Sequence, residues 1–123
     1  MNFNFTIKVP IFLARIILEI YLLYKKILTG KKYKYIILPK GFVIVDESDY
    51  EKLNQNKWSV KIAPAYAVRK EKGEIIYMHN EIMQPGPGFV VDHKDHNTLN
   101  NSRENLRLAT KSQNISNRRK KQG

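Results

Sequence analysis

Past Gly30 the chain is cut at short intervals by turn formers, and this punctuation limits what it can fold into. Pro39-Lys40-Gly41, Glu71-Lys72-Gly73 and Pro85-Gly-Pro-Gly88 leave little room for long helices between them. The runs between are rich in β-branched and aromatic residues. Strands are expected over Tyr35-Ile-Ile-Leu38 and Gly41-Phe-Val-Ile-Val45, paired as a hairpin about Pro39-Lys40-Gly41, and near Trp58 to Ile62, Tyr66 to Arg69 and Glu74 to Met78. Ser48-Asp-Tyr-Glu51 has capping-box spacing and predicts a short helix from there through about Asn54. Met78 to Met83 reads as one or two helical turns that Pro85 to Gly88 end. Trp58 is expected as a core or strand-face anchor. The fold class that results is α+β: a β-hairpin-rich part followed by a smaller C-terminal unit.

The segment before Gly30 obeys a different rule. Pro10 to Leu28 is almost continuously apolar, broken by Arg15 and Glu19 and closed by Lys25 and Lys26. Its length approaches the roughly 20 apolar residues of a membrane span. Two charges in its middle disfavour that, at a few kcal/mol each. Arg15 and Glu19 stand at i, i+4 and can share a helix face. Three readings stay open: a helix packed on the domain or on a partner, a membrane-associated segment (the lesser alternative), and an extension without a part in the chemistry. The division expected is residues 1–30 as an apolar helical extension and 31–123 as the working domain.

Composition narrows the partners. There are 22 Lys plus Arg against 11 Asp plus Glu, a net charge of +11. A surplus that large on a short chain points to a polyanion, nucleic acid or an anionic membrane, and not to a small-molecule substrate. There is no cysteine, so disulfide frameworks and cysteine-ligated zinc are excluded. An intracellular, cytoplasmic location is compatible with that. Three histidines remain as nitrogen ligands or bases: His79, His93 and His96.

Two of those histidines fall in the C-terminal third. Phe89-Val-Val-Asp-His93 is expected as a strand, Lys94 to Arg103 as a polar, Asn-rich loop, and Asn105-Leu-Arg-Leu108 as a second strand. Thr110-Lys-Ser-Gln113 is another capping box, so a helix is expected over residues 111–119, ending in the basic run Arg118 to Lys121. Such a ββα hairpin can bring a strand end and a helix start to one pocket. That pocket would hold the Asp92 carboxylate, the His93 imidazole and the Asn114 amide. Asp92 and Asn114 supply hard oxygen ligands, and His93 beside them can serve as a general base.

The stretch VDHKDHNTLNNSRENLRLATKSQNISNR resembles the HNH endonuclease motif, in the form found in phage and intron homing endonucleases. The resemblance implies a ββα-metal unit at about residues 88–120 and metal-dependent hydrolysis of DNA. It implies His93 as general base, Asn105 as the residue that holds the loop and orients the histidine, and Asp92 with Asn114 as metal ligands. The last letter is Asn, an H-N-N set, so Mg²⁺ or Mn²⁺ is expected over Zn²⁺. His96 stands where glycine is expected. Lys94, Arg103, Arg107, Lys111, Arg118, Arg119, Lys120 and Lys121 are implied as phosphate contacts. His79 reads as a structural or DNA-proximal residue in preference to a ligand. Two competing functions remain: a nucleic-acid-binding protein without cleavage, and a basic protein anchored to membrane through residues 10–28.

Overall fold

A computed structural model describes residues 10–62 and 64–122, with side chains through residue 116. Its hairpins close where the turn formers stand. β1 (Tyr33–Leu38) and β2 (Gly41–Asp46) pair antiparallel about Pro39 and Lys40. Proline presets the first turn position, and Lys40 takes the positive φ of 69° that the second requires. β3 (Ser59–Lys61), β4 (Tyr66–Glu71) and β5 (Glu74–Tyr77) form a three-stranded antiparallel sheet in the order β3-β4-β5. Lys72 and Gly73 join its last two strands with φ of 51° and 81°. Positive φ at both positions is the turn whose twist matches the flanking strands. β6 (Phe89–His93) pairs with β7 (Leu106–Thr110), closing a third small sheet.

Short helices fill the gaps. α2 (Glu47–Leu53) begins one residue before Ser48, with Asp46 at its N-cap and no side-chain cap bond. This corrects the capping-box expectation. Asp46 and Asp49 are instead committed to Arg103: Asp46 Oδ1 accepts its backbone N–H at 3.1 Å, and Asp49 accepts its guanidinium. α3 (Met78–Met83) covers the predicted turns. α4 (Lys111–Gln122) starts at the expected capping box, in which Gln113 N–H donates to Thr110 Oγ1 at 3.2 Å and Thr110 N–H to Gln113 Oε1 at 2.9 Å. One core joins these pieces: Ile36, Leu38, Val43 and Val45 from the first hairpin, Leu53, Ala67, Met78, Ile82 and Leu106 from the rest. Trp58 lies in it as expected, its indole N–H donating to Leu53 O at 2.7 Å.

The N-terminal segment is a helix, α1 (Ile11–Thr29), ended by Gly30 in the left-handed conformation with its N–H on Lys26 O. It buries a narrow stripe, Ala14, Leu18 and Leu22, at i, i+4, i+8. Leu22 packs with Tyr33 and Ile44 of the first hairpin. Of the three readings left open, packing on the domain describes this stripe. Among the described residues no helix is long and apolar enough to cross a membrane.

Candidate active site

The site is built where β6 ends. The β6–β7 register sets Asp92 opposite Arg107 and His93 opposite Leu106. Both Asp92 and His93 are buried. Facing residues on an antiparallel pair bring their side chains together, and Arg107 donates from Nε at 3.0 Å and from a terminal nitrogen at 2.8 Å to Asp92 Oδ2.

His93 meets a partner that the sequence did not single out. Its Nε2 lies 2.8 Å from Oδ1 of Asn101, which is fully buried. An amide oxygen only accepts, so Nε2 carries the proton and donates, and the lone pair is at Nδ1. Burial pushes the imidazole below its ordinary pKa, against the opposing pull of the Asn101 bond and of Asp95 and Asp92. The ring is therefore neutral at pH 7. Asn101 Nδ2 is buried with no hydrogen-bond partner among the described residues, a position that costs about 1–3 kcal/mol. Its Oδ1, by contrast, satisfies the buried Nε2–H of His93 and so holds the ring in one orientation.

The loop between the strands holds Asn101 in place by backbone pairing with the first hairpin. Ile44 N–H donates to Leu99 O at 3.1 Å, and Asn101 N–H donates to Ile44 O at 2.8 Å. The Thr98 hydroxyl donates to the Ala65 carbonyl. Asn105 closes the loop from inside. It lies in a 3-10 turn, Arg103–Asn105, and not in the second strand where the sequence reading put it, because its N–H bonds back to Ser102 O. Its Nδ2 donates to Asp95 Oδ1 and to Asn100 O, both at 2.8 Å, and its Oδ1 accepts the Asp95 N–H at 3.0 Å. Burial opposes ionisation of Asp95, but the bonds from Asn100, Asn97 and Asn105 outweigh it and hold the carboxyl below its ordinary value. His96 takes a φ of 62°, the left-handed conformation that explains the expectation of glycine.

An aromatic wall backs His93. The His79 ring stands edge-on to it, centroids 5.1 Å apart at 82°. Tyr66 of β4 lies 5.4 Å from His79 and 6.2 Å from His93, and Tyr77 lies 5.4 Å from His79. Burial first, and the neighbouring His93 second, lower His79 to a pKa of about 4. It is thus a neutral packing partner of the base candidate. No motif spacing could have found Tyr66 or Asn101, since three separate elements bring them here.

The remaining predicted residues divide. Asn114 is half-buried in the first turn of α4, which packs on β6 and β7. Lys94 and Lys111 are exposed. Arg103 and Arg107 are held within the molecule, forked on Asp49 at 2.9 Å and on Asp92. The side chains of Arg118, Arg119, Lys120 and Lys121 lie outside the described residues. Among the described residues no three His, Asp or Glu side chains cluster closely enough to hold a metal by themselves. Asp92 bears a carboxylate and Asn114 an amide oxygen, donor types that suit a hard cation.

Comparison with known proteins agrees with this geometry. Residues 84–115 match the family model described as HNH endonuclease. No curated protein and no solved structure matches the chain. The matched stretch runs from the end of α3 through β6, the clamped loop and β7 into the first turns of α4. The matched stretch holds β6, β7 and the start of α4, and Asp92, His93, Asn105 and Asn114 all fall within it.

Proposed function

We propose that the protein is a divalent-metal-dependent endonuclease that hydrolyses phosphodiester bonds in DNA, with residues 31–123 as the catalytic unit and 1–30 as an appended helix. One observation carries the reading: a neutral, buried His93 whose Nε2–H is tied to Asn101, beside the Asp92 carboxylate, in a strongly basic chain. His93 Nδ1 accepts a proton from water as the water oxygen bonds to phosphorus. The P–O bond to the 3′ oxygen breaks in line, and solvent protonates the leaving oxygen. Asn101 holds the ring against rotation, and Asn105 keeps the loop that carries Asn101 closed. Mg²⁺ or Mn²⁺ held by Asp92 and Asn114 would neutralise charge growing on the phosphate and the leaving oxygen. Lys94, Lys111 and the basic run 118–121 hold flanking phosphates as positioning contacts. Homing-type recognition of one long site is a narrower form of the same reading.

The Asp92–Arg107 ion pair favours a second reading, in which Arg107 occupies the carboxylate and the chain binds DNA without cutting it. A supercoiled-plasmid assay separates the two. Nicking or linearisation with Mg²⁺ or Mn²⁺, abolished by EDTA and by His93→Ala, supports the endonuclease. Full cleavage in EDTA overturns the metal assignment. DNA binding with no cleavage in either metal supports the second reading.

A further inference from the structure

The three-stranded sheet β3-β4-β5 has two faces of different chemistry. Facing residues of an antiparallel pair share a face, and neighbours along a strand alternate. The register sets Lys61 opposite Tyr66, Tyr77 opposite Val68 and Ile75 opposite Lys70. These six residues and Ser59 therefore share one face, which holds two cations, two tyrosines and no carboxylate. Arg69, Glu71 and Glu74 lie on the other face, where Arg69 pairs with Glu71 at 3.7 Å and with Glu81 of α3 at 2.6 Å.

The cationic face adjoins the candidate active site. Its Tyr66 ring lies 6.2 Å from the His93 ring, and the Thr98 hydroxyl fastens the catalytic loop to Ala65, the residue before Tyr66. Lys61 and Lys70 are exposed, and among the described residues neither pairs with a carboxylate. The Lys61 ammonium donates to the Tyr77 hydroxyl at 3.3 Å and stands 5.8 Å from the centre of that ring, which holds its charge over this face. Lys70 stands four residues beyond Tyr66 on β4, about 13 Å along the strand at the usual rise. DNA rises about 3.4 Å per nucleotide along each strand, so charges at that spacing meet phosphates several nucleotides apart.

Two cations expected to hold phosphates are engaged elsewhere: Arg103 is forked on Asp49 and Arg107 on Asp92. A duplex lying at His93 is positioned by backbone contacts beside the cut, and this face supplies cations there with no acid on it to repel a phosphate. A second copy suits the face poorly, because a two-fold would set its lysines against their own charge. We propose that this face of the three-stranded sheet is a DNA-docking surface, on which Lys61 and Lys70 take backbone phosphates of the duplex flanking the bond at His93, with Tyr77 positioning Lys61. The proposal rests on DNA as the partner of the site, and not on whether the chain cuts it.

Fluorescence anisotropy of a labelled duplex in EDTA, over a series of salt concentrations, tests it without cleavage. Each lost phosphate contact lowers the slope of log affinity against log salt by about 0.9. Lys61→Gln with Lys70→Gln should therefore lower it by about 1.8. The thermal midpoint should stay unchanged, since both side chains are exposed. Lys61→Arg should keep the full slope. Tyr77→Phe should weaken binding less than Lys61→Gln does, because Lys61 keeps its charge and loses only its hold. Lys34→Gln with Lys52→Gln removes the same charge from β1 and α2 and should leave the slope nearly unchanged. An unchanged slope in the Lys61 and Lys70 double variant overturns the proposal. So does an equal fall in the Lys34 and Lys52 variant, which would mark a general charge effect. Altered self-association in sedimentation, with the slope unmoved, would assign the face to a second copy instead. Plasmid nicking by the unaltered chain, with no change of slope in the double variant, leaves the cleavage reading standing and this one fallen. A lowered slope in a chain that nicks nothing does the reverse.

Discussion

The loop from Lys94 to Asn105 and the helix α1 are held by opposite kinds of force. The loop is fastened by directional bonds: backbone to Ile44, the Thr98 hydroxyl to Ala65, Asn105 to Asp95 and Asn100. Each bond has one acceptable geometry, so together they hold Asn101 and His93 at hydrogen-bonding distance. α1 is held by three buried aliphatic positions and by Lys25, which reaches Glu104 at 3.2 Å. Apolar burial is non-directional and scales with area. It can dock a helix without fixing the position of any atom to a fraction of an ångström. Catalysis needs the first kind of hold, because misplacement of a reacting group by about 1 Å can cost on the order of 10²-fold.

If that contrast is right, a change in the polar network should act on rate and a change in α1 on stability. The largest effect is expected from His93→Ala, which should lower the cleavage rate by roughly 10²- to 10⁴-fold while DNA affinity stays near its original value. Asn101→Asp sharpens the point. A carboxylate still accepts the Nε2–H but favours the imidazolium, so the rise of rate with pH should move to higher pH than in the unaltered protein. In the latter the rise should centre below the usual histidine value of about 6.5, because burial disfavours the charged ring. An unshifted profile for Asn101→Asp would argue that Asn101 does not address His93.

Leu18→Ala tests the other side. Leu18 is fully buried in α1, and truncation should cost about 2–5 kcal/mol of stability in urea melts. The rate per folded molecule should be unchanged. A rate loss as large as that of His93→Ala would end the comparison, because α1 would then be part of the site.

His79 sits between the two regimes, a polar ring held by burial. Its folded pKa of about 4 lies below the unfolded value of about 6.5, so the unfolded chain binds more protons in that window. Stability from this group is whole above pH 6.5, is lost as pH falls toward 4, and changes no further below that. The loss should reach about 3 kcal/mol at most, and His79→Gln should remove this slope. Melts at pH 7 and pH 4.5 for both proteins measure it.

The smallest effect is expected at His96, where φ is 62°. Glycine relieves the left-handed strain of about 1–2 kcal/mol but adds freedom to the unfolded chain. His96→Gly should therefore raise stability by less than about 1 kcal/mol and leave cleavage intact. A clear loss of either would show that the imidazole itself has a part in the loop.

The sequence by itself determined the places where the chain turns, most of the strands between them and the strand-loop-strand-helix order of the C-terminal part. Turn formers and capping boxes act through bonds to near neighbours, so their signals are local: Lys72-Gly73 and Thr110 with Gln113 do in the structure what their spacing implies. Asp92 and His93 were legible because they are consecutive at the end of a strand. Ser48 is not the cap because the helix starts at Glu47 with Asp46 at its N-cap, and the Asp46 carboxylate accepts the N–H of Arg103, more than fifty residues away. Only the tertiary structure decided that Asn101 meets His93 and that Tyr66 and His79 back it. Those contacts depend on the first hairpin catching the loop and on the three-stranded sheet standing behind it. It decided as well which stripe of α1 is covered, since an almost uniformly apolar helix has no sequence-visible preference until another surface presents itself.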